Sequence, residues 1–160
     1  MSDFIYHPLK PIYDKNSKIL ILGTFPSVKS RAANIYYGNP QNRFWKVLSI
    51  VLNLPFPETR EDKIKFLLNN NIAVWDVISS CNIENSDDSS IKNPVPNDFS
   101  VIFNSANISQ VFTTGKKATE LYARFTGRNS IYLPSPSGAN CAVSMQKLID
   151  SYSVIKKYLF

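Results

Sequence analysis

Two stretches of the chain hold residue types that could grip a nucleic acid. The first, GTFPSVKSRAANIYYGNPQNRFWKVL from Gly23 to Leu48, interleaves basic and aromatic residues. Gly23, Pro26 and Gly38 bend its backbone, Lys29 and Arg31 carry charge suited to phosphate, and Tyr36 and Tyr37 offer flat faces on which a base could stack. The second, LPSPSGANCAVS from Leu133 to Ser144, is built from prolines, a glycine and short hydroxyl or amide side chains. Such a loop lets donors come close to a phosphate chain because no bulky group intervenes. Other reactive groups read as structural. Asp76 closes an apolar run and is expected to hydrogen-bond at a strand end rather than act as a base. His7, the single histidine, is expected to be structural or solvent-exposed. Cys81 and Cys141 are too few for a four-cysteine cluster or a structural zinc site, so both read as buried thiols and no metal is expected.

Both stretches must leave strands. KILILG, Lys18 to Gly23, is a short apolar run ending at glycine, as a buried strand requires. EDKIKFLLNNN, with Ile64, Leu67 and Leu68 at helical spacing, precedes a second strand, Ile72 to Val77. A third strand ends at Thr114, turns at Gly115 and gives way to a helix with Ala118, Leu121 and Phe125 on one face. SIYLP is a fourth strand stopped by Pro134, and Ser144 to Tyr158 reads as an amphipathic terminal helix. Strands alternating with helices imply a mostly parallel sheet covered on both faces, with the site at the carboxyl ends of the strands. The polar stretch Asn82 to Phe99 reads as a long loop, either a functional flap or a flexible connection.

Composition narrows the classes. The 160 residues, 44% of them hydrophobic, suit one globular domain over 1–160. No apolar run approaches the ~18 residues of a membrane-spanning helix. The opening residues, MSDFIYHPLKPIYDKNSK, lack the basic-then-apolar order of a secretory signal, so the chain is expected to stay inside the cell. A net charge of +6 favours a polyanionic partner.

Taken in order, ILGTFPSVKS, YYGNPQNRFWKVL, AVWDVISSCNIENSDDSSI, PNDF, TGKKA and LPSPSGANCAVSMQKLIDSY resemble the uracil-DNA glycosylase superfamily. The resemblance is closest to its hypoxanthine-DNA glycosylase (DNA-deoxyinosine glycosylase) branch and next to the mismatch-specific uracil-DNA glycosylases. It implies a three-layer α/β/α sandwich around a short, mostly parallel sheet of roughly four strands. It also implies a reaction without a cofactor, on double-stranded or single-stranded DNA containing a deaminated base, by a monomer. Two departures matter. The slot where mismatch-specific relatives place a water-positioning asparagine holds Phe25, and the histidine of conventional uracil enzymes is replaced by Leu133. The resemblance therefore puts catalysis on Asn42, base contacts on Phe25, Ser27, Tyr37 and Asn39, and backbone pinching or gap filling on Ser135, Ser137, Gly138, Ala139 and Asn140. Thr114 stands where the branch often has asparagine.

Each assignment has a structural rival. Asn42 immediately precedes the apolar helix RFWKVLSIVL and could be its N-cap. Phe44 and Trp45 read as core, and Tyr36 and Tyr37 could be core as well. Ser135, Ser137 and Asn140 could simply satisfy turn backbone, and Lys116 and Lys117 read as a solvated face. The activity expected is hydrolysis of deoxyinosine to free hypoxanthine and an abasic site. A lyase step is not expected, since the motifs carry no lysine placed to attack the sugar. The alternatives are a uracil or mismatch-specific glycosylase, and a nucleic-acid-binding relative that has lost catalysis.

Overall fold

ILILG, the apolar run that opens the first motif, is buried at every position because both faces of its strand are covered. The computed structural model describes residues 2–160. In chain order the elements are β1 (Asp3–Tyr6), β2 (Ile19–Gly23), α1 (Val28–Ala33), α2 (Phe44–Val51), α3 (Arg60–Asn69), β3 (Ile72–Asp76), β4 (Ile78–Glu84), β5 (Asp87–Pro96), α4 (Ser100–Phe103), β6 (Gln110–Thr114), α5 (Lys116–Thr126), β7 (Ile131–Leu133), α6 (Met145–Tyr152) and α7 (Lys156–Leu159). Four of the strands form a parallel sheet in the order β3-β2-β6-β7. The path from β2 to β3 runs outward one way through α3, and the path from β6 to β7 runs the other way through α5. Right-handed crossovers in opposite directions put those helices on opposite faces, which is the expected α/β/α sandwich. The order reverses between β2 and β6, so a crevice must open beyond Gly23 and Thr114.

Local chemistry fixes the helix starts that frame this crevice. Ser27 caps α1 by accepting from the Ser30 N–H, and Ser144 caps α6 by accepting from the Lys147 N–H. Gly115, at φ +94°, makes the sharp turn from β6 into α5, a conformation that costs a side-chain-bearing residue. The terminal helix is shorter than the periodicity suggests. It breaks after Tyr152 into a 3-10 turn, Ser153–Ile155, before α7 resumes.

The stretch Asn82 to Phe99 is not a loop. It belongs to a hairpin, β4 and β5, which with β1 makes a second, antiparallel sheet in the order β1-β4-β5. The strand was hidden because only Ile83 and Ile91 bury apolar side chains among serines, asparagines and aspartates, and register shifts interrupt the alternation. The hairpin starts at the end of β3, where Val77 N–H donates to Gly23 O at 2.9 Å and Ile78 N–H to Thr24 O at 3.2 Å. Its tip is tied down by Val28 N–H, which donates to Ser86 Oγ at 2.9 Å. The polar segment is thus a braced arm laid over the first-motif loop. Among the described residues, no helix is long and apolar enough to cross a membrane.

Candidate active site

A cleft of about 770 Å³ opens at the reversal point between β2 and β6. It gathers the sequence-nominated residues Phe25, Ser27, Tyr37, Asn39, Asn42, Ser135, Ser137, Gly138, Ala139 and Asn140. Gly23, Asp76 and Thr114, at the ends of β2, β3 and β6, line it from the sheet. No lysine is among the described lining residues.

Tyr37 links the sheet to the second motif. Its backbone is left-handed at φ +53°, its hydroxyl lies 2.9 Å from Thr114 Oγ1, and its ring stacks on Phe44 with centroids 3.8 Å apart. One aromatic face is therefore already covered. Burial, reinforced by the Asp76 charge, holds the phenol protonated far above its ordinary range. Phe44, Trp45 and Tyr36 are core residues. Phe25 is buried as well, edge-on to His7 and covered by the Arg31 guanidinium at 5.8 Å from the ring centroid. Arg31 is thus folded back on the protein instead of reaching outward for phosphate.

His7 is not solvent-exposed: its Nε2 is 2.8 Å from Asp76 Oδ2 and both side chains are about 5% exposed or less. Its Nδ1 accepts from Leu9 N–H at 3.2 Å, which leaves the ring proton on Nε2 to donate to Asp76. Asp76 is the strand-end hydrogen-bonding residue that its position suggested. Cys81 is buried, but Cys141 is exposed because the loop that carries it bulges into solvent.

Asn42 is half-buried, and its Oδ1 accepts from Phe44 N–H at 2.9 Å. Asn39 Oδ1 accepts from Gln41 N–H at 3.0 Å, and Ser27 Oγ donates to Ser30 Oγ at 2.9 Å, so these side chains also shape local turns. In the second loop Ser135 Oγ accepts from Ser137 N–H, Ser137 Oγ accepts from Ala139 N–H, and Asn140 Nδ2 donates to Ser135 O. Gly138 packs on Gln41: a Cβ there would sit 3.0 Å from Gln41 Cβ and 3.1 Å from Gln41 O. A bulky wedge at this position would push the loop off the second motif.

Sequence reasoning missed two contributors. Arg43 donates to the carbonyls of Ser137, Asn140 and Val143, while its own N–H donates to Pro136 O, so it pins the second loop to the start of α2. The hairpin tip brings Ser86, Asp87 and Asp88 to the cleft. Nothing local marks either role, since their partners are remote in sequence. Among the described residues no group of His, Cys, Asp and Glu could hold a metal ion.

A short parallel sheet with a polar cleft at its reversal point and a Pro-Ser-Gly loop at its mouth defines an α/β/α protein whose ligand site lies at the carboxyl ends of the strands. The family model of the uracil DNA glycosylase superfamily matches residues 10–158, and the chain belongs to that superfamily. It is 37% identical over 133 residues to a hypoxanthine DNA glycosylase of Methanosarcina acetivorans, spanning 81% of this chain and 84% of that one. It is 34% identical over 134 residues to a hypoxanthine DNA glycosylase of Methanosarcina barkeri, spanning 81% and 85%. A solution NMR structure of an M. acetivorans protein described as a candidate uracil DNA glycosylase superposes with a TM-score of 0.77 at 32% identity, covering 92% of this chain and 96% of that chain.

Proposed function

We propose that the protein is a monofunctional DNA glycosylase that hydrolyses deoxyinosine, releasing hypoxanthine and leaving an abasic site. The observation that carries the reading is the state of Asn42. Its carbonyl oxygen is committed to Phe44 N–H, and Nδ2 has no hydrogen-bonded protein partner among the described residues, although the side chain lines the cleft. Breaking the bond between sugar and base leaves negative charge on the departing purine. A fixed, uncharged N–H donor at that point stabilises the transition state without a change of protonation. The two relatives named hypoxanthine DNA glycosylases support the choice of base.

The cleft is reached by a base out of the stack, and weakly paired, deaminated bases flip at the lowest cost. Tyr37, which lines the cleft, is the aromatic that would stack on such a base. The absence of a lysine among the described lining residues supports simple hydrolysis over a lyase step. Acting on genomic DNA, the protein works as one domain and as a monomer inside the cell.

The test is incubation with end-labelled duplexes containing inosine, uracil or xanthine, followed by alkaline cleavage of abasic sites. Release from inosine is expected. Release from uracil alone would make the chain a uracil or mismatch-specific enzyme, and no release from any duplex would end the glycosylase reading.

A further inference from the structure

Hydrolysis adds water, and the attacking water must give up a proton. Neither group nearest the first motif can take it. Phe25 is a hydrocarbon ring, and the Asn42 carbonyl oxygen is engaged by Phe44 N–H. Three carboxylates are among the described residues that line the cleft, Asp76, Asp87 and Asp88, and their surroundings separate them.

Asp76 is sealed. Its Oδ2 receives the His7 ring N–H, and its Oδ1 lies so close to the β2 backbone that a Cβ on Gly23 would be 2.6 Å away. Asp87 is turned to its own hairpin, where Oδ1 accepts from Ser89 N–H at 3.0 Å and Ser89 Oγ at 2.6 Å. Asp88 is different. It is exposed at the rim, lines the cleft, and accepts none of the side-chain bonds that occupy Asp76 and Asp87. The arm bearing it is fixed by Val28 N–H on Ser86 Oγ.

We propose that Asp88 is the general base of the reaction, delivered across the cleft by the β4–β5 hairpin to replace the water-activating group that Phe25 displaces from the first motif. The inference rests on the glycosylase reading. In the step, the water oxygen bonds to C1′ of the deoxyribose while the C1′–N9 bond breaks and its electron pair leaves with hypoxanthine. One water proton moves to an Asp88 carboxylate oxygen, and from there to the released base or to solvent, leaving a hydroxyl on C1′. The site keeps Asp88 basic: its carboxyl is pushed up to about 6, chiefly because protein replaces much of its surrounding water. The facing charges of Asp76 and Asp87 add to this rise, while the Thr24 hydroxyl and Lys117 oppose it. Asp76 itself is tied to His7.

The test is single-turnover excision of hypoxanthine from a labelled inosine duplex, measured against pH for the wild type, Asp88→Asn and Asp88→Glu. The wild-type rate is expected to climb through a pH of about 6 and then level. Asp88→Asn should be slower by roughly 100-fold or more and lose that climb, as removal of a general base requires. Its affinity for inosine duplex, read by fluorescence anisotropy, should be unchanged or tighter, because a negative charge near phosphate has gone. Asp88→Glu should recover part of the rate together with a climb. If the wild type releases no hypoxanthine, the glycosylase reading falls and this role falls with it. If the wild type is active but Asp88→Asn keeps its rate, or is slowed with the climb intact, Asp88 is not the base and the glycosylase reading stands.

Discussion

The carboxamide oxygen of Asn42 accepts the backbone N–H of Phe44 at 2.9 Å, so one residue both shapes the turn into helix α2, ahead of its N-cap Arg43, and lines the cleft. A backbone N–H can be met only by the oxygen end of the amide, which leaves Nδ2 without a hydrogen-bonded protein partner among the described residues. Asn42 is not the N-cap of α2, a position held by Arg43 without a side-chain cap; its carbonyl shapes the turn into the helix, and the proposed donor role would use the other end of the group.

Asp at this position separates them. Asn42→Asp keeps an oxygen for Phe44 N–H but replaces the donor by a second acceptor, so it should unfold at close to the wild-type temperature. Its single-turnover excision should fall by roughly 100- to 1,000-fold, the effect of losing one preorganised donor. Asn42→Ala should match that loss and also cost about 1 kcal/mol of stability, because the Phe44 N–H loses its acceptor. Thermal melts and excision assays on the same preparations decide it. A fast Asn42→Asp enzyme would remove the donor role.

Arg43 should matter through the loop it holds. Its guanidinium ties the carbonyls of Ser137, Asn140 and Val143 to α2, and bonds from a charged donor contribute about 1.5–3 kcal/mol each at most sites. Arg43→Ala should loosen the second loop, seen as faster proteolysis there and weaker DNA binding. Arg43→Lys should not restore either, because one ammonium cannot span the carbonyls that the planar fork reaches. Wild-type affinity in Arg43→Lys would show that the loop does not depend on this clamp.

What could be read in the sequence divides by range of interaction. Strands β2 and β3 announce themselves as nearly continuous apolar runs because they are buried on both faces. The strand-end loops were legible for the same reason, and they carry the residues that line the cleft. The second sheet was not legible, since β1 bears exposed Phe4 and Tyr6 and β5 is mostly polar. Its buried face is made of scattered residues, Ile78, Cys81, Ile83 and Ile91, set among polar ones, so no continuous apolar run marks it. His7 and Asp76 are 69 positions apart, and Arg43 and Ser137 are 94 apart, so no local pattern could join them.

Gly23 and Gly127 make a controlled comparison. A Cβ on Gly23 would come within 2.6 Å of Asp76 Oδ1 and 3.1 Å of the Tyr37 hydroxyl, and Asp76 cannot swing away without leaving His7. Gly23→Ala should cost about 1–3 kcal/mol, the usual penalty of overpacking, and should depress excision by disturbing the cleft wall. Gly127 has φ +69° and nothing within 4 Å of an added Cβ. Gly127→Ala should lose only about 1–2 kcal/mol, from the left-handed backbone, and retain normal excision. Equal activity in the two variants at matched stability would mean that the crowding at Gly23 does not shape the site.

Asp88 should also set a pH dependence of stability whose sign differs from that of its neighbours. Its carboxyl titrates at about 6 in the folded protein and near 3.8 when free, so between those values the folded state holds a proton that the unfolded chain has released. Stability therefore falls as pH rises through that window and stays lowered above it. Asp87 and Asp98, held below the usual range by hydrogen bonds from Ser89 and Ser100, act the other way: their contribution is present above the unfolded value and is lost on acidification. Those two are common to the wild type and to Asp88→Asn, so the difference between the proteins isolates Asp88. Asp88→Asn should melt higher than the wild type at neutral pH, by a small margin because the residue is exposed to solvent. The margin should close as pH drops below the unfolded carboxylate range. Paired melting curves from acid to neutral buffer measure it, and coincident curves at neutral pH would mean that the site does not strip water from Asp88. A variant that is slower in excision yet more stable would show that the carboxylate is retained at a cost to the fold.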